Sequence, residues 1–170
     1  MNRVLLAAAA LAVACGGGKA QKPDAASDQT PSWLSEGTGA IRGESGRRLQ
    51  GVGVASGIGD PRARRRQADG AAREQLQAAV DALARALAKA GEPAHDGDAV
   101  RAIARKAAVQ VGGIRDHWVT PDGDERALSV IDFDAFRRAL QSVDGDERVR
   151  REMFSNLDRA FDQVAAAGPR

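Results

Sequence analysis

Apolar residues are spaced along this chain in three ways. Val4 to Ala14 is an unbroken apolar stretch preceded by a single charge, Arg3. At eleven residues it is too short to span a bilayer, which takes roughly 20, and Gly16, Gly17 and Gly18 would stop a helix just after it. Alternation appears at Gly51-Val52-Gly53-Val54-Ala55-Ser56-Gly57, which reads as a strand with close backbone approach on one face. The helical period follows. Ala63, Ala68, Ala72, Leu76, Val80, Leu83 and Leu87 form one stripe, started by Asp60 as N-cap with Pro61 in the first turn and ended by Gly91 and Pro93. A second helix is expected from Asp96 or Asp98, presenting Val100, Ile103, Ala104, Ala107 and Val111.

Further on, Ile114–Val119 and Arg126–Ile131 flank Thr120-Pro121-Asp122-Gly123-Asp124. Proline presets φ and glycine accepts a positive φ, so the pattern predicts a hairpin. Two helices close the chain, one with Phe133, Phe136 and Leu140, the other with Val149, Met153, Leu157, Phe161 and Val164. Residues 33–50 are glycine-rich and weakly patterned and read as an extended, partly ordered lead-in. The expected fold is α+β, a small antiparallel sheet packed against several helices, following a leader and a flexible tether.

The leader is a secretory signal by its layout, one basic residue, an apolar run and a small residue at its end. Cys15 is the only cysteine, so no intramolecular disulfide can form. It stands where cleavage after Ala12-Val13-Ala14 would make it the mature N-terminus, an arrangement that resembles the lipobox of bacterial lipoproteins, in which this cysteine is acylated. The lipobox prefers leucine three residues before the cysteine, and here that position is Ala12. Several acyl chains on one residue hold a protein to a membrane firmly, because each buried CH2 contributes about 0.8 kcal/mol. The expected organisation is a signal peptide over 1–14, the acylated cysteine and tether over 15–31, an α+β domain over 32–145 and a C-terminal helix over 146–170. Removing residues 1–14 leaves 24 basic against 23 acidic residues, a balance that argues against a nucleic-acid partner.

Several short motifs resemble those of the LPP-twenty (FlgP-like) family of bacterial lipoproteins. These are Pro31-x-Trp33 near the mature start, Gly51-x-Gly53-x-Ala55, the Ala68-x-x-x-Ala72-Arg73 helix segment, Trp118 on a strand, and Arg126-Ala127-Leu128 where the family usually has Tyr-Ala-Leu. The resemblance covers about residues 31–140. It implies an envelope lipoprotein, sometimes flagellum-associated, with a structural or assembly role, and none of its motifs is a catalytic signature, so no enzyme is expected. Gly16, not aspartate, follows Cys15, which by analogy with lipoprotein sorting points to the outer membrane and a domain facing the periplasm.

Other candidate chemistry is thin. Gly51-x-Gly53-x-x-x-Gly57 misses the dinucleotide fingerprint by one residue, and no parallel βαβ series follows. His95 and His117 lack the spacing of zinc ligands. Asp-Gly-Asp at 96, 122 and 144 lacks the further oxygen ligands of a calcium loop and reads as turns and caps. No Gly-x-Ser-x-Gly or Ser-x-x-Lys is present. No catalytic residue, metal or cofactor is expected. The residues singled out are Cys15 for lipidation, Trp33 and Trp118 for core anchoring or an interface, and Arg62, Arg64, Arg65 and Arg66 for a solvated helix face or a contact with phosphate or anionic lipid. The expected partners are the membrane, through the N-terminal lipid, and a second copy or an envelope protein. The alternative is a small-ligand or peptidoglycan-associated binding domain.

Overall fold

The computed structural model describes residues 30–44, 46–91 and 96–168. The apolar leader, Cys15, nearly all of the tether and His95 lie outside the described residues. From Pro31 onward the chain clusters as one unit. Its elements run in the order α1 (Trp33–Glu36), β1 (Gly39–Gly43), β2 (Gly46–Ala55), α2 (Pro61–Ala90), α3 (Gly97–Val111), β3 (Gly113–Val119), β4 (Glu125–Asp132), α4 (Phe133–Ser142) and α5 (Glu147–Ala166). The strands form an antiparallel sheet in the order β1-β2-β4-β3, and the α+β architecture is as expected.

Local chemistry sets most of the boundaries. The side chain of Asp60 accepts the Ala63 N–H and starts α2 at Pro61. Asp96, Asp132 and Asp146 cap α3, α4 and α5 in the same way. Two of the three Asp-Gly-Asp motifs are thus helix starts. The third lies in the β3–β4 turn, where Gly123 takes φ +86 and its N–H donates to the Thr120 carbonyl.

The lead-in expected over 33–50 is corrected. It contains the short helix α1 and a hairpin, in which Gly39–Gly43 pairs with Gly46–Gln50. The alternation that would reveal these strands is broken by arginine at inward positions. Arg42 reaches Asp162 on α5, and Arg47 Nη1 donates to Asp158 Oδ1 at 2.6 Å. The Arg47 guanidinium also lies 3.9 Å from the centre of the Phe133 ring, so its stem and charge are both used against the core.

The helices cover one face of the sheet. Leu49, Ala55, Ala127 and Ile131 are buried on that face and pack into the helices. Beyond the sheet, Leu83, Leu87, Ile103, Phe136, Met153, Leu157 and Phe161 join α2, α3, α4 and α5 into the main core. At Gly51 and Gly53 the α2 backbone comes so close that a Cβ on Gly53 would lie 2.2 Å from both Ala68 O and Ala72 N, and one on Gly51 2.2 Å from Leu76 N. Ala68 and Ala72 supply the small helix side of the contact. The glycines therefore serve backbone packing, and the backbone of α2 fills the space a dinucleotide phosphate would need.

This contact can be tested against a control in the same helix. Gly53→Ala should destabilise the fold by about 2–3 kcal/mol in urea unfolding, because the neighbouring atoms are backbone and cannot move aside easily. Gly70, in α2 with open space at its Cβ position, should gain about 0.5–1 kcal/mol on Gly70→Ala. Equal stability of the Gly53→Ala protein would mean that α2 does not sit this close to the sheet.

Two carboxylates tie helices to the rest. The hydrogen bond from Arg47 holds the Asp158 carboxyl below the usual carboxylate range, and the Arg137 charge acts in the same direction. Between α2 and α3, the Arg105 guanidinium meets both Asp81 oxygens, at 2.9 and 2.6 Å, and lowers that acid too. An acid depressed in the folded state contributes stability above its unfolded pKa, and that stability is lost as pH falls through the folded value. Melting temperature should therefore hold from pH 7 to about 5 and decline below about 4. An Asp81→Asn, Asp158→Asn double variant should start lower and decline less steeply. An unchanged slope would assign the acid loss to other carboxylates.

Candidate functional site: the outer face of the sheet and its tryptophan clasp

Because β-strand side chains alternate, the face opposite the helices carries Arg48, Gln50, Val52 and Val54 of β2, Leu128 and Val130 of β4, and Asp116 and Trp118 of β3. Among the described residues no long helix covers this face. The segment from Trp33 to Thr38 lies over part of it instead. Trp33 is 7% exposed and packs on Leu128 and Val130, with Leu34, Val52 and Trp118 around them.

Four polar contacts hold the clasp. The Trp33 Nε1–H donates to Asp116 Oδ2 at 2.9 Å. Glu36 pairs with Arg48. Gln50, fully buried, donates through Nε2 to the Gly37 carbonyl at 2.7 Å and accepts from Arg48 Nε at 2.8 Å. The Val52 N–H, beyond the last β1 partner, donates to Thr38 Oγ1 at 3.0 Å. A buried amide with its hydrogen bonds satisfied adds specificity to a register that glycine-rich strands define weakly.

The two tryptophans thus come together, though they lie far apart in sequence. Trp33 is consumed by packing within the chain. Trp118 is only half-buried, and with the exposed Val54 it leaves the uncovered part of this face partly apolar.

No family model matches the chain, and neither does any curated protein or solved structure.

The arginine run divides. Arg64 turns inward, donates to the Ile58 carbonyl at 3.1 Å and faces Glu125 at 3.8 Å. Arg65 contacts His117 Nδ1 at 2.9 Å, while His117 Nε2 lies 2.6 Å from Asp69 Oδ1. A guanidinium can only donate and a carboxylate can only accept, so Nδ1 is the acceptor and Nε2–H the donor. Both ring nitrogens thus have a partner within the chain. Arg62 and Arg66 are exposed and make no ion pair among the described residues. No group of three potential metal ligands occurs among the described residues. The His117 network joins residues 48 and 52 positions apart and has no local sequence signal. The partly alternating β3 pattern could have placed His117 and Trp118 on opposite faces, but not named their partners.

The clasp makes a direct prediction. Trp33→Ala should cost about 3 kcal/mol by removing the cover from Leu128 and Val130. Trp33→Phe should cost about 1 kcal/mol, chiefly the bond to Asp116. Urea unfolding followed by circular dichroism measures both. If the alanine variant matched the parent, the clasp would not be part of the cooperative unit.

Proposed function

We propose that this chain is a membrane-anchored lipoprotein of the bacterial cell envelope, acylated on Cys15, with a structural or assembly role and no catalytic activity. The observation that carries this reading is the N-terminal layout: one basic residue, eleven apolar residues, a lone cysteine and three glycines. Among the described residues no helix is long and apolar enough to cross a membrane. The motifs resembling the LPP-twenty family agree with an outer-membrane lipoprotein facing the periplasm. The assembly role draws support from the partly open outer sheet face, where Trp118 and Val54 offer apolar area to a second copy or an envelope protein, flagellar or otherwise.

Cys15→Ser, followed by fatty-acid labelling and membrane fractionation, tests the anchor. Expected is complete loss of label, with the protein released from membranes or left unprocessed. A variant that is cleaved yet still sediments with membranes would overturn lipid anchoring. For the assembly role, crosslinking in intact cells should recover the chain itself or envelope proteins.

One observation favours a second reading, a periplasmic binding domain for a small ligand or peptidoglycan. A groove of about 510 Å³ lies between α2 and the end of α5, lined by Ala78, Ala82, Arg85, Ala86, Lys89 and Gln163. Saturable binding of a glycan fragment, lost on Arg85→Ala, together with an absence of crosslinked protein, would favour it over assembly.

A further inference from the structure

The stripe Arg62, Arg66, Asp69 and Arg73 recurs at intervals of four, three and four, so it forms one edge of α2. That edge runs beside β3. Asp69 is bonded to His117, and Arg73 lines the same cavity as Gly113, at the opposite end of the strand. β3 ends the sheet, and its bulge lies between Ile114 and Asp116, with Arg115 exposed there. Together Arg62, Arg66, Arg73 and Arg115 form a cationic strip along one side of the domain, and none of them has an acidic partner among the described residues.

Several acids of the surrounding elements are engaged. Asp60 caps α2, Asp69 holds His117, Asp116 holds Trp33, and Glu125 faces Arg64. Negative charge beside the strip comes from Asp122 and Asp124 in the hairpin turn, from the exposed Glu74 on α2, and from Asp60 and Asp116, whose donors are neutral. Two of the three exposed large apolar residues border the strip, Val109 (79% exposed) at the Arg73 end and Val119 (49%) at the other. Cations interleaved with exposed aliphatic side chains suit a lipid headgroup layer, where both kinds of group find partners.

The chain's own geometry directs the strip there. Trp33 is bonded to Asp116 of β3, so Pro31, where the described unit begins, lies on the β3 side of the domain. The fifteen residues between Cys15 and Pro31 can reach about 50 Å at most. A lipid on Cys15 would therefore keep the strip within reach of the membrane surface, where weak charge attraction suffices because the effective concentration is high.

We propose that Arg62, Arg66, Arg73 and Arg115 form a docking strip for the anionic headgroups of the membrane in which Cys15 is anchored. This rests on the lipid anchor proposed above. A second copy meeting strip to strip would set like charges against each other, whereas phosphate-bearing lipid complements them.

The test is arginine footprinting of the full-length protein purified from membranes, its acylation established beforehand by intact mass. The protein is reconstituted in vesicles of phosphatidylcholine alone or with about 30% phosphatidylglycerol, treated with phenylglyoxal, and read residue by residue by mass spectrometry. Expected is at least about threefold slower modification of the four strip arginines on the anionic vesicles, lost when salt is raised from about 50 to about 500 mM. Arg85 and Arg138, exposed elsewhere, should react equally on both. Equal strip rates on the two vesicles, or slowing at Arg85 and Arg138 instead, would overturn the proposal. Protection in intact cells but not on vesicles would overturn it too and indicate an acidic protein partner. If intact mass showed no lipid, the anchor itself would fall. The same footprint of the unacylated chain mixed with vesicles would then judge the strip alone.

Discussion

The backbone-to-backbone approach of α2 to β2 at Gly51 and Gly53 is the contact on which the rest of the domain depends. It sets the distance between helix and sheet at the N-terminal half of α2, where Ala68 and Ala72 are the facing residues. Once that half is pressed onto the sheet, the helix continues past it for several turns. Val80, Leu83 and Leu87 then become the spine around which α3, α4 and α5 assemble. Larger side chains at the two glycines would lift the helix and leave both regions poorly packed.

A sheet covered on only one face has to manage the other. Here the work falls to a four-residue helix and one tryptophan. The clasp is small, and its specificity comes from polar contacts as much as from area: indole to Asp116, Glu36 to Arg48, a buried glutamine to a carbonyl, and a threonine hydroxyl to a strand N–H. The clasp also sets where the N-terminal segment joins the domain, on the β3 side. The cationic edge of α2 runs along that same side. One residue, Asp116, thereby connects the covering of the core to the side on which the chain enters the domain.

The arginines show how one residue type does several jobs in this fold. Arg47 and Arg42 extend from the sheet to acids on α5, Arg48 and Arg64 hold loop and strand segments together, and Arg105 joins two helices. The guanidinium suits these bridges because it carries several donors in a planar fork and a long apolar stem. Among the described arginines without an acidic partner, Arg62, Arg66 and Arg73 align on one edge of α2.

Period, caps and turn chemistry determined the seven elements between 51 and 166 from the sequence alone, because each signal is local. Asp60-Pro61, Asp96, Asp146 and Pro121-Asp122-Gly123 act through residues within a few positions. The β1–β2 hairpin was not legible, since its inward positions include Arg42 and Arg47, whose compensating acids lie more than a hundred residues away on α5. The fate of the arginine run was equally hidden. Nothing in Arg62–Arg66 says which side chain turns in, because that depends on where Glu125 and His117 are brought by sheet pairing. Trp33 read as a residue at the margin of a tether and became a cover for the core, for the same reason. Local interactions are encoded where they act, whereas the choice of partner across the sheet and between helices belongs to the tertiary structure, which alone sets which distant groups share a face.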